Sequence, residues 1–196
     1  MQFIRKPSGE TLQQFLERQK SNNFSYPEVG FTNRSADVPG YDNDFNKVQL
    51  GTGNAAFLAA CEAIRTWKMF PGGWARIEPV GAAMQKGKTL AMIVHLFGLH
   101  WVNACRIVYT LNEERRFGFA YGTLPGHIEY GEELFSVEWR KDDTVWYVLK
   151  AFSRPRLWVV KLGYPIARRL QRRFVRESQL AMKEAVALIL TNTSPA

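Results

Sequence analysis

Between Trp74 and Phe152 the chain passes through six strand-like runs: Trp74 to Glu78, Thr89 to Phe97, Trp101 to Thr110, Arg116 to Tyr121, Glu133 to Arg140 and Thr144 to Phe152. Short turns join several of them, at Gly98-Leu99-His100, Asn112-Glu113-Glu114 and Lys141-Asp142-Asp143. A parallel crossover needs a dozen or more residues, so spacing this tight predicts antiparallel neighbours. An imperfect alternation over Phe45 to Leu50 adds a seventh strand. Such a sheet has one apolar face to cover, and the final segment can cover it. From Ala167 onward Leu170, Phe174, Ser178, Ala181, Met182, Ala185, Leu188 and Ile189 recur at helical spacing.

A second helix is expected over Asn54 to Lys68, capped by Asn54, with Phe57, Ala60, Cys61, Ile64 and Trp67 in one stripe. Pro71-Gly72-Gly73 ends it. Ser8 to Lys20 reads as a short helix capped by Ser8, and Phe24 to Tyr41 as extended loop. Pro155 suits the first turn of the last helix, with Gly163 and Pro165 kinking or restarting it. The expected organisation is a helical extension over residues 1–23 and one domain over 24–196. The class is α+β: a curved antiparallel sheet of about seven strands wrapped around a long C-terminal helix.

That order resembles the helix-grip fold of the lipid-transfer START domains and the birch-pollen-allergen superfamily, which leave a cavity between sheet and helix. The words PGYDNDFNKVQLGTG, WKMFPGGW, FGFAYGTLPGHIEYGEELFSVEW, VWYVLKAFSRP and LGYPIARRLQRRF are more specific. Together they resemble an uncharacterised bacterial and plant family, domain of unknown function nineteen-ninety, from about Tyr26 to Met182. The resemblance implies the fold and supplies no reaction.

Composition narrows the setting. Cys61 and Cys105 lie in apolar periodic segments and read as buried free thiols, not a disulfide framework. The start MQFIRKPSGE has no apolar core of a signal peptide, and no run approaches the ~18 apolar residues of a membrane span. Cytoplasm is the expected location. The net charge of +8 is carried by nine basic residues and one acid between Arg154 and Lys183; the remainder is neutral.

Three functional readings follow. In the first, six Trp, seven Tyr and thirteen Phe supply an aromatic cavity for a small apolar or amphipathic molecule. Tyr121, Trp139, Tyr147 and Phe174 line it, and His127, Glu133 and Arg154 orient the polar end. Glu133 shares strand parity with Phe135, Val137 and Trp139 and so points inward. A buried carboxylate wants a partner, and Arg154 is the expected one, in a structural pair or at a ligand site. In the second, Arg168, Arg169, Arg172, Arg173 and Arg176 form a helix face that docks onto nucleic acid, acidic protein or a membrane surface. In the third, His127 with Glu129, Glu132 and Glu133 holds a metal for hydrolysis, although their spacing matches no zinc motif. No nucleophile motif such as Gly-x-Ser-x-Gly is present, and no cofactor is expected.

Overall fold

The computed structural model describes residues 1–70, 73–156 and 164–193. The elements are β1 (Gln2–Phe3), α1 (Gly9–Gln19), β2 (Asp42–Thr52), α2 (Gly53–Arg65), β3 (Ala75–Glu78), β4 (Thr89–Leu96), β5 (Leu99–Glu113), β6 (Arg116–Thr123), β7 (Glu129–Trp139), β8 (Thr144–Pro155) and α3 (Tyr164–Thr193). A single 3-10 turn, Phe31–Asn33, interrupts the long segment before β2.

Among the described residues the strands form one eight-stranded curved sheet in the order β2-β8-β7-β6-β5-β4-β3, with β1 added to β5. Every pairing is antiparallel, as the short connections require between consecutive strands. The sheet wraps α3, which is the helix-grip arrangement.

The concave face holds the main core. Phe57, Ala60, Cys61 and Ile64 of α2 meet Ile107, Phe119, Phe135, Val137 and Tyr147 of the sheet, and Met182 and Val186 of α3 close the far end. Both cysteines are buried and free, and burial pushes the Cys61 thiol up to about 11. The convex face is covered as well. Leu12 and Phe15 of α1 pack on Ala91, Ile93, Val102 and Ala104. The Arg106 guanidinium reaches from β5 to the carbonyls of Gln19, Lys20 and Asn22, each at 2.8 Å, which satisfies the C-terminal end of α1. Residues 1–23 thus contribute a strand that pairs with β5 and a helix on the sheet's convex side.

Several boundaries differ from the sequence reading, each for a local reason. α2 begins at Gly53 with Thr52 as its N-cap, so Asn54 is not the cap. β2 runs from Asp42, because Asp42, Asn43 and Asp44, polar enough to read as loop, pair with Ser153, Phe152 and Ala151. The β4–β5 turn is Phe97-Gly98, and Leu99 and His100 already belong to β5. β7 starts at Glu129, four residues before the expected Glu133. Pro155 does not open the last helix: it ends β8 opposite Glu129. Pro165 falls in the first turn of α3, where its missing N–H costs nothing. The kink expected at Gly163 lies outside the described residues.

Candidate functional site

Strand parity divides the FGFAYGTLPGHIEYGEELFSVEW segment between the two faces. Phe117, Phe119 and Tyr121 of β6 and Glu129, Gly131, Glu133, Phe135 and Val137 of β7 look to the concave side. Glu132 looks the other way. Only Leu124 to Ile128 connect the two strands.

On the convex side Glu132 is 3% exposed and accepts four hydrogen bonds. Tyr26 Oη and the Gly30 N–H donate to Oε2 at 2.7 Å, and the Thr32 N–H donates to Oε1 at 3.0 Å. The Thr32 hydroxyl donates to Oε1 as well. This carboxylate ties the loop before β2 to the sheet. Gly122 makes the approach possible: a Cβ there would lie 2.0 Å from Tyr26 Oη.

On the concave side a hollow of about 370 Å³ lies between the sheet and the first turns of α3. Its wall changes character across the sheet. Trp74, Met92, Val94, Leu96 and Trp101, from β3 to β5 and the approach to β3, make an apolar half; Tyr121, Thr123, Glu129, Glu133 and Asp44 make a polar half on β6, β7 and β2. Ala167, Leu170, Gln171 and Phe174 of α3 form the roof. Phe97 and Ile166 line the hollow yet are 78% and 56% exposed, so they stand at its mouth.

Glu133 Oε2 accepts from Tyr121 Oη at 2.7 Å, and Glu129 Oε1 accepts from Gln171 Nε2 at 3.0 Å. Burial is the chief cause that raises both carboxyls to about 7; for Glu133 the Tyr121 bond opposes it, and for Glu129 the nearby Arg168 charge does. Asp44 meets Arg168 in a two-pronged pair at 2.6 and 2.7 Å. His127 is buried in the wall, and its Nδ1 accepts from the Glu129 N–H at 2.9 Å, which leaves the proton on Nε2. Burial pushes this imidazole down to about 3, so it is neutral at physiological pH.

The structure brings Tyr121, His127, Glu133 and Phe174 to this hollow, and not Trp139, Tyr147 or Arg154. Trp139 stacks on Phe57 at 5.8 Å and donates to Asp143. Tyr147 is fully buried and shares a 2.8 Å hydrogen bond with Ser178 in the core. The expected Glu133–Arg154 pair does not form. Arg154 is a β8 residue of convex parity, and its guanidinium lies over the rings of Tyr41 and Tyr130 at 4.6 and 5.5 Å. The His127, Glu129, Glu132 and Glu133 set does not converge either, because Glu132 is on the opposite face; among the described residues no group of three or more His, Cys, Asp or Glu is arranged to hold a metal ion. The arginine face is thinner than its sequence. Arg168 turns to Asp44, and Arg173 pairs with Glu177 at 2.6 Å and covers Trp74 at 4.9 Å, while Arg169, Arg172 and Arg176 are exposed. No helix among the described residues is long and apolar enough to cross a membrane.

Sequence reasoning passed over Asp44 and Gln171 in this hollow, did not single out Trp74 and Trp101 among the six tryptophans, and gave Glu129 only a metal-ligand role. The parity of β7 carried a signal for Glu129, four residues from Glu133 on the same face. Gly131 between them reads as a turn residue and hid it.

The raised carboxyls give a pH-dependent stability. Their folded-state values, about 7, exceed the ordinary 4.5, so between those values the folded chain holds more protons than the unfolded chain and stability falls as pH rises. His127 and the Met1 amine, both lowered, act in the opposite sense. Comparison with Glu133→Gln cancels them. The variant should gain thermal midpoint relative to the unaltered chain as pH rises from about 5 to about 8. A constant difference across that range would contradict the raised value.

The comparisons with known proteins agree with this architecture. A UPF0548 protein of Dictyostelium discoideum is 32% identical over 204 residues, covering 93% of this chain and 94% of that protein. A UPF0548 protein of Arabidopsis thaliana is 30% identical over 197 residues, covering 92% and 95%. A solved structure of a hypothetical protein from Helicobacter pylori superposes with a TM-score of 0.51 at 9% identity, over 84% of this chain and 94% of that one, a likeness of fold alone. Residues 25–181 match the family described as Domain of unknown function (DUF1990), and the chain belongs to that family.

Proposed function

We propose that this protein is a small-molecule-binding domain that takes an apolar or amphipathic molecule into the hollow between the sheet and α3. The observation that carries the reading is the split wall: Trp74, Met92, Val94 and Trp101 on one half, Tyr121, Glu129 and Glu133 on the other. Ligand sites of this kind combine an apolar body with a few polar groups that fix orientation. A volume of about 370 Å³ suits a compact molecule. The exposed Phe97 and Ile166 give the apolar end a route in.

Octanol serves as a neutral probe, read through the fluorescence of Trp74 and Trp101 in the wall. Ala167→Trp fills the hollow from the roof while leaving the sheet intact. It should weaken octanol binding by at least about tenfold, a loss of roughly 1.4 kcal/mol, with little change in thermal midpoint. Unchanged octanol binding in this variant would overturn the reading. Solvent extraction of the purified protein followed by mass spectrometry then identifies what it carries from the cell.

A further inference from the structure

The hollow is charged on one side only. Asp44, Glu129 and Glu133 bring carboxylates to its lining, and no lysine or arginine among the described residues belongs to it. Glu132 contributes to the wall, but its own carboxylate is bound on the convex side. Arg168 balances Asp44 through two hydrogen bonds. Glu129 and Glu133 have no ion-pair partner among the described residues; each has one oxygen held by a neutral donor, Gln171 or Tyr121. The other groups that face them are His127, neutral, from the loop before β7, Asp42 and Asp44 from β2, Cys105 from β5, Tyr147 from β8 and Arg168 from α3. In the same wall Asn103, 2% exposed, leaves its Oδ1 acceptor without a donor among the described residues. A buried acceptor with no partner is a cost that a ligand donor removes.

Resting on the reading that this hollow binds a small molecule, we propose that its ligand is an amine: an ammonium group on an apolar or aromatic body, received by Glu133 and Glu129, with the body against Trp74, Met92 and Trp101. An ammonium brings three N–H donors and a positive charge to a site that holds spare acceptors and, among the described residues, no ion-pair partner for Glu129 or Glu133. A carboxylate away from water is stabilised by an opposite charge far more than by a neutral group. A fatty-acid head would add another anion to two carboxylates, and an alcohol would leave their charge unbalanced. A metal cation is a poorer occupant, because among the described residues no three ligating side chains converge.

The proton balance follows from the same geometry. Near neutral pH the two carboxyls are partly protonated, held near 7 by burial. An alkylammonium, with an ordinary value near 10.4 for such a group, arrives charged, and its charge favours the ionised carboxylate. Binding near pH 6 therefore expels a proton from the carboxyl to the buffer, and binding well above pH 8 does not.

The test compares octylammonium, octanol and octanoate, three probes that share one apolar chain, on the full protein by titration calorimetry. Octylammonium should bind at least about tenfold tighter than octanol, and octanoate weaker than octanol. Calorimetry in two buffers of different ionisation enthalpy should show proton release near pH 6 that vanishes at high pH. Glu133→Gln should weaken octylammonium binding far more than octanol binding and so remove the preference for the amine, with Glu129→Gln as a second variant. If octanol or octanoate equals or exceeds the amine, or if both variants keep the preference, the amine assignment is overturned while the binding reading stands. If none of the three probes binds, the binding reading itself is overturned, and the amine assignment with it.

Discussion

Glu132→Ala should lower the stability of this protein by about 3–5 kcal/mol, and its thermal midpoint by roughly 10 °C. Glu132 is 3% exposed and accepts from Tyr26 Oη, the Gly30 and Thr32 N–H groups and the Thr32 hydroxyl. Truncation leaves those donors facing an empty space with no acceptor, and hydrogen bonds to a charged group contribute about 1.5–3 kcal/mol each when they are lost singly. The four are not additive, because they belong to one network. Glu132→Gln keeps one carbonyl but turns an NH₂ toward donors, so it should be nearly as damaging. The segment from Phe24 to Tyr41 should become protease-sensitive in both variants, since this carboxylate is its anchor on the sheet. Gly122→Ala pushes Tyr26 from the same carboxylate, so combining it with Glu132→Ala should add little. A midpoint within a degree or two of the unaltered chain would show that Glu132 does not hold the loop. Chemical denaturation gives the same comparison at constant temperature.

Gly131→Ala should be at least as severe. Gly131 sits at φ 152° on β7, between β6 and β8, and an added Cβ would lie 2.0 Å from the Phe152 carbonyl oxygen and 2.9 Å from Ser153 Cα. Both obstacles are backbone held in the sheet ladder, so relief requires moving a strand rather than rotating a side chain. The expected outcome is loss of soluble folded protein, or a destabilisation above about 3 kcal/mol. Gly9→Ala is the control: no atom lies within 4 Å of its would-be Cβ, and alanine favours a helix. Circular dichroism melts of the two variants side by side decide the matter. Equal midpoints would mean that β7 and β8 can part at Gly131 without cost.

The same glycine explains why the site was only partly legible in the sequence. Gly131, followed by two acids and close to Pro125 and Gly126, reads as part of a long turn, since glycine in a strand is uncommon. In the structure it is a strand residue whose missing side chain lets β8 come close. Glu129 therefore belongs to the same strand face as Glu133, and both reach the hollow. Pro155 misled for a related reason. A proline fits the first turn of a helix, but it also fits the end of a strand, and neighbouring Glu129 chose the second. Arg154 then fell on the convex face by strand parity, out of reach of Glu133.

The sequence alone determined the antiparallel sheet, the amphipathic final helix that covers it, the burial of both cysteines and the inward aim of Glu133. Those properties follow from periodicity and spacing, which are local. Partner choice is not local. Arg168 met Asp44 across 124 residues, Glu132 met Tyr26 across 106, and Glu133 met Tyr121 rather than Arg154. Only the tertiary structure decided those pairings, because the energy of a buried charge depends on which donors the curvature of the sheet and the seat of the helix bring within hydrogen-bond distance.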